Sequence, residues 1–127
     1  MDNPRRILIV DDDPDIRRLL CDVLTLDGYL VSCAGDGLMA LASIEDSPPD
    51  AMVLDVMMPG LDGFEVLARV RATETAHLPV VMLTALADDE HAWQAWTGGV
   101  DYFLPKPFDP ADLVRWLDFL FSERRVG

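Results

Sequence analysis

RILIVDDDPDIRRLLCDVLTLDG, residues 6–28, places two different periodicities side by side. RILIV (6–10) is apolar throughout after its first residue, Arg6, and of strand length, the mark of a strand buried on both faces. Directly after it Asp13 can cap and Pro14 can open a helix, in which Ile16, Leu19, Leu20, Val23 and Leu24 recur at helical spacing until Gly28 ends it. A buried strand followed at once by an amphipathic helix is the repeating unit of a parallel sheet, whose strands are joined by right-handed crossovers.

Outward from this stretch the unit recurs. LVSCA (30–34), AMVLD (51–55), VVML (80–83) and YFL (102–104) read as four more short buried strands. Between and after them, Leu38, Leu41 and Ile44, then Phe64, Leu67 and Val70, then Trp93 and Trp96, then Leu113, Leu117 and Leu120 mark helices, the second stopped by Pro48 and Pro49. Strand and helix alternate five times, which predicts a doubly wound α/β fold with helices on both faces of a parallel sheet. Pro105 fits best if the last strand lies at a sheet edge. With 127 residues, half of them hydrophobic, the chain has the size of one domain with one core.

Charge and composition narrow the function. A formal net charge of −13 repels phosphate backbones and anionic lipids, which argues against nucleic-acid or membrane binding by this domain. No apolar stretch approaches the roughly 18 residues of a membrane span, and MDNPRR has no signal-peptide layout, so a cytoplasmic location is expected. Cys21 and Cys33 lack neighbouring ligands at metal spacing and read as reduced core thiols.

In a doubly wound sheet, ligands bind outside the carboxyl ends of the strands. Asp11, Asp12 and Asp13 follow the first strand, Asp55 ends the third, Thr84 follows the fourth and Lys106 follows the fifth. With Asp13 used as a cap, three carboxylates, one hydroxyl and one ammonium converge on one rim. Asp55 ends an otherwise apolar strand before Val56, Met57 and Met58, where a charge is costly unless paired. Three close carboxylates repel one another, and their charge is balanced by one divalent cation and one ammonium. Hard oxygen ligands that must also admit a phosphate favour Mg2+. Lys106 is the only lysine beside nine arginines, which suits a site needing a compact point charge on a phosphoryl oxygen, with the Thr84 hydroxyl donating to another.

ILIVDDDPDIRRLL, LDVMMPGLDG, VVMLTA and FLPKPF, in this order and on these strand ends, resemble the response-regulator receiver domain of two-component signalling. The resemblance runs from Arg6 to about Phe121 and leaves 122–127 as a tail or the start of a linker, within one domain spanning 1–127. It implies a five-stranded flavodoxin-like sheet of order 2-1-3-4-5. Asp55 would be the phosphoacceptor, with Asp12 and Asp55 ligating Mg2+, Asp11 holding a metal-bound water and the Met57 carbonyl completing the protein ligands. Thr84 and Lys106 would bind the phosphoryl group, assisted by the backbone amides of Met57 and Ala85, and the Lys106–Pro107 bond would be cis. The donor would be the phosphohistidine of a histidine kinase or phosphotransfer protein. The chain would assist its own phosphorylation and dephosphorylation without turning over a separate substrate, and would signal to a downstream protein or output domain.

Several positions colour that expectation. Phe103 stands where many receivers place a tyrosine, so the switch ring, which would act with Thr84, has no hydroxyl. Trp93 and Trp96 fit a core stripe or a partner surface, and Trp116 with Phe119 broadens the apolar face of the last helix, as for a homodimer or a docked partner. Gly60 and Gly63 suit backbone angles that other residues resist. Met57 and Leu86 are expected to flank the path of a hydrolytic water and to slow dephosphorylation. A haloacid-dehalogenase-like phosphatase would use Asp11 and Asp13 but leaves Asp55 unexplained, and a flavodoxin-like cofactor binder would need a phosphate loop after the first strand. A phosphorylation-independent interaction module is the remaining alternative.

Overall fold

In the computed structural model, which describes residues 3–85 and 88–126, strands β1 (Arg6–Val10), β2 (Leu30–Ala34), β3 (Ala51–Asp55), β4 (Val80–Thr84) and β5 (Tyr102–Pro105) alternate with helices α1 (Pro14–Leu26), α2 (Gly37–Asp46), α3 (Gly63–Arg71), α4 (Asp89–Thr97) and α5 (Pro110–Val126). All strands are parallel, in the order β2-β1-β3-β4-β5, as the resemblance implied. Each of the first four helices opens on an aspartate cap. Asp13 accepts from the Asp15 amide, Asp36 from Met39, Asp62 from Glu65 in a reciprocal capping box, and Asp88 from His91. Four of the 23 acidic residues therefore serve to start helices.

Two apolar cores flank the sheet. Alternate residues of β1 separate them: Leu8 and Val10 pack with Met52, Leu54 and the inner faces of α2 and α3, whereas Ile7 and Ile9 pack with Leu20, Leu24, Leu113 and Leu117 of α1 and α5. Central strands β3 and β4 are buried throughout, but β2 is not; at the sheet edge only Ala34 is fully buried and Leu30 is 55 % exposed. Although α1 and α2 both touch this edge strand, neither covers it fully, which apolar content alone does not reveal. Cys33 is accordingly exposed and Cys21 half-buried, so the expectation of two core thiols is wrong.

Helix faces are also narrower than their apolar residues suggested. Leu19 and Leu38 point to solvent, and α2 buries Gly37, Ala40 and Ile44 instead. Gly37 has no room for a Cβ, which would lie 2.8 Å from side-chain atoms of Leu61 and Val66, so α2 approaches α3 closely there. On α4 the buried residue is the small Ala95; Trp93 and Trp96, at 71 % and 51 % exposed, form no core stripe. Trp116 stacks on Tyr102 at 5.3 Å between ring centroids, while Phe119 is exposed. Pro105 lies in edge strand β5, where a missing amide costs no ladder bond.

Candidate functional site

Strand register levels the functional residues. Val10 pairs with Leu54, so Asp11 and Asp55 emerge side by side; Asp55 pairs with Leu83, so Thr84 stands one step beyond; Thr84 pairs with Pro105, which places Lys106 next. The strands hold one another past their ends. The Asp11 amide donates to Ala34 O at 3.2 Å, Val56 to Leu83 O at 3.3 Å and Lys106 to Thr84 O at 2.8 Å. The Lys106–Pro107 bond is cis.

One oxygen from each of Asp11, Asp12 and Asp55 lies within 4.8 Å of the others, the only group of three or more potential metal-ligating side chains among the described residues. Asp11 and Asp55 are buried and Asp12 is exposed. Lys106 reaches back across the rim, its Nζ 3.1 Å from Asp11 Oδ2 and 3.4 Å from Asp55 Oδ1. The other Asp11 oxygen accepts from the Asp13 amide at 2.9 Å, which fixes the carboxylate plane.

The electrostatics show what this rim lacks. Burial, then the adjacent Asp11, push the Asp55 pKa from 3.8 to about 6, against the pull of Lys106. For Lys106 itself, burial disfavours the charge, but bonding to Asp11 and the field of Asp55 outweigh it and hold the pKa above its ordinary value. One ammonium thus fails to neutralise the carboxylates. Their hard oxygens and surplus negative charge fit a small divalent cation.

Thr84 is fully buried at the end of β4. Phe103, on β5, is partly buried against the core shared with α3 and α4. Met57 is 58 % exposed beside Asp55, and Ala85 is exposed after Thr84; Leu86 lies outside the described residues. Gly60 has φ +77°, as its turn requires. Gly63 does not have a positive φ, contrary to the expectation from its sequence; it is needed for space, since a Cβ there would lie 2.8 Å from Val56 Cα and press on the Asp55 carbonyl. That close approach seats the start of α3 under the end of β3, with Gly63 N bonded to Val56 O at 2.8 Å.

Two positioning residues escaped the sequence reading. Arg17 Nη1 donates to Asp11 O at 2.7 Å and so ties α1 to the acidic rim. Arg71, at the end of α3, bonds the carbonyls of Ala76, Leu78 and Gly99 and the Asp101 carboxylate, joining the loops before β4 and β5. A basic residue on a polar helix face gives no sign in sequence of which distant carbonyl it meets.

Comparison with known proteins agrees with this geometry. The response regulator receiver domain family matches residues 7–118. The chain is 42 % identical over 121 residues to the transcriptional regulatory protein TcrA of Mycobacterium tuberculosis, covering 95 % of this chain and 45 % of that protein. It is 45 % identical over 121 residues to the response regulator MprA of Mycobacterium ulcerans, covering 95 % and 52 %. The receiver domain of the Francisella response regulator 1452 superposes with a TM-score of 0.89 at 31 % identity, over 94 % of this chain and 98 % of that one. The chain spans about half the length of the curated relatives it matches.

Proposed function

The chain belongs to the response regulator receiver domain family, and on that premise we propose that it takes a phosphoryl group from the phosphohistidine of a sensor kinase or phosphotransfer protein onto Asp55. The observation that carries this reading is the placement of Lys106 between Asp11 and Asp55, in a rim where three carboxylates lie within 4.8 Å. Mg2+ suits that donor set; Asp12 and Asp55 would hold it directly, Asp11 through a water, with the Met57 carbonyl as the remaining protein ligand. When bound, the ion supplies positive charge that offsets the repulsion between the carboxylates and the phosphoryl oxygens.

An ionised oxygen of Asp55 attacks phosphorus in line with the leaving imidazole nitrogen; the O–P bond forms as the P–N bond breaks. Positioning and charge neutralisation are what the protein contributes. Lys106 moves from its carboxylate partners to a phosphoryl oxygen, the Thr84 hydroxyl donates to another, and the Met57 and Ala85 amides assist. The new group carries roughly one more negative charge than the carboxylate it replaces. Lys106 and Thr84 are drawn toward it, and because Lys106 N is bonded to Thr84 O, the ends of β4 and β5 respond together. Phe103 and the α4-β5-α5 face then shift between two arrangements.

The exposed Trp93, Trp96 and Phe119 give that face apolar surface for a second copy, a downstream protein or an output domain. No helix among the described residues is long and apolar enough to cross a membrane, in keeping with a cytoplasmic receiver. We read residues 6–121 as its folding core and assign it no separate substrate.

Intact mass after incubation with a small-molecule phosphodonor and Mg2+ tests the assignment. Wild type should gain one phosphoryl group and Asp55→Asn none, and a chelator should abolish the gain. Phosphorylation of the folded Asp55→Asn protein would overturn the choice of acceptor, and unlabelled wild type would favour a phosphorylation-independent interaction module.

A further inference from the structure

Away from the acidic rim, on the α1 side of the edge strand β2, two cysteines are placed side by side. Cys33 pairs in register with Ile9, which is buried with Leu20 and Leu24 in the core shared with α1. Residues in register on neighbouring strands point to the same face, so the Cys33 thiol is directed toward α1. Cys21 directly follows Leu20 and shares a flank of that helix with Arg17 and Thr25; its Sγ lies 4.0 Å from Thr25 Oγ1. The same flank of α1 lies over the end of β2, where a Cβ on Gly35 would be 3.4 Å from Arg17 Nη1; Cys21, one turn on from Arg17, therefore stands beside Cys33, two residues before Gly35, and Cys21 and the Arg17 guanidinium both act on the Cys33 thiol. Both cysteines are free, Cys33 is exposed, and β2 has no neighbour but β1.

We propose that Cys21 and Cys33 form a thiol–disulfide modification site, at which a low-molecular-weight disulfide of the glutathione class enters at Cys33 and the pair closes into an intramolecular bond between α1 and β2. Entry at Cys33 follows from its exposure. Its thiol gives its proton to solvent base and attacks one sulfur of the small disulfide; a mixed disulfide forms and one small thiolate leaves. Cys21, half-buried and adjacent, loses its proton and attacks the Cys33 sulfur; the protein disulfide forms as the second small thiolate departs. The two electrons lost by the protein sulfurs end on the two released thiols, which take up the two protons. Burial, then Cys21, hold the Cys33 pKa above its ordinary value, with Arg17 pulling the other way. That suits slow exchange with an abundant disulfide rather than rapid capture of peroxide. Neither the site nor its chemistry depends on phosphorylation.

The test uses the full chain, reduced and then incubated with oxidised glutathione, followed by denaturing alkylation and intact mass. The expected product is a monomer lighter by two hydrogens, inert to alkylation and restored by dithiothreitol. Cys21→Ser should instead accumulate the glutathione adduct at Cys33. Closure from the mixed disulfide should be faster in the native protein than in concentrated urea, where the same two residues are tethered only by the chain between them. Wild type that accumulates adducts or disulfide-linked dimers without ring closure would overturn the proposal. So would a closure rate in buffer no greater than in urea.

Discussion

Replacing Asp55 by Asn should stabilise the metal-free protein, and by an amount that depends on pH. The carboxyl group is buried, 5 % exposed, with a pKa raised from 3.8 to about 6 by burial first and by Asp11 second. A folded pKa above the unfolded one means that the native state holds this proton to higher pH than the unfolded chain does. Between the two values folding takes up a proton, so stability is greatest below 3.8 and falls as pH rises through 6. At about 1.36 kcal/mol per pH unit, that gap corresponds to about 3 kcal/mol lost by the wild type above the window. Asparagine keeps the shape and cannot ionise. The stability difference between Asp55→Asn and wild type should therefore grow by about 3 kcal/mol from about pH 3 to above pH 7. Urea unfolding of both proteins across this range, with chelator present, measures it. Saturating Mg2+ should shrink the difference, because an ion that binds the ionised native site stabilises the wild type preferentially. A difference that stays constant with pH would refute the claim that the ionised Asp55 is held at a net cost in the metal-free rim.

The remaining predictions concern the residues around that carboxylate. Gly63→Ala should lower the urea midpoint, by about 1–3 kcal/mol in stability, because its Cβ has no space against the end of β3; an unchanged midpoint would show that α3 can move away freely. Beryllofluoride should alter tryptophan fluorescence through Trp93, Trp96 or Trp116, and Lys106→Arg should blunt the response even though charge is kept, since a planar guanidinium does not reproduce the compact ammonium between Asp11 and Asp55. An equal response in the Lys106→Arg protein would count against that geometry. Met57, apolar and largely exposed beside the acceptor, should slow loss of the phosphoryl group. Met57→Asn is expected to shorten the lifetime at fixed Mg2+ in a single-turnover decay, and an equal or longer lifetime would discard the idea.

Sequence alone determined the elements and the side on which chemistry sits. Unbroken apolar runs at 7–10, 51–54 and 80–83 can persist only where both sheet faces are covered, and Asp11, Asp55, Thr84 and Lys106 follow runs whose direction is common to every parallel strand. Local chemistry also marked the start of the first helix, since Asp13 with Pro14 acts on amides within the next turn. Quantities that depend on a second element were decided only by tertiary structure. Strand order made β2 an edge, and this exposed Cys33 and Leu30 although their run is as apolar as others. The packing of α4 and the close approach of α3 to β3 decided that Ala95, rather than Trp93 or Trp96, faces the core, and that Gly63 answers to crowding by β3 rather than to its own φ. The register of β1, β3, β4 and β5 brought Lys106 to within 3.1 Å of Asp11, 95 residues away, and Arg17 to the Asp11 carbonyl. Residue type announces a charge; the field it feels, and therefore a pKa near 6 for Asp55, arises only when distant strands bury it beside another charge of the same sign.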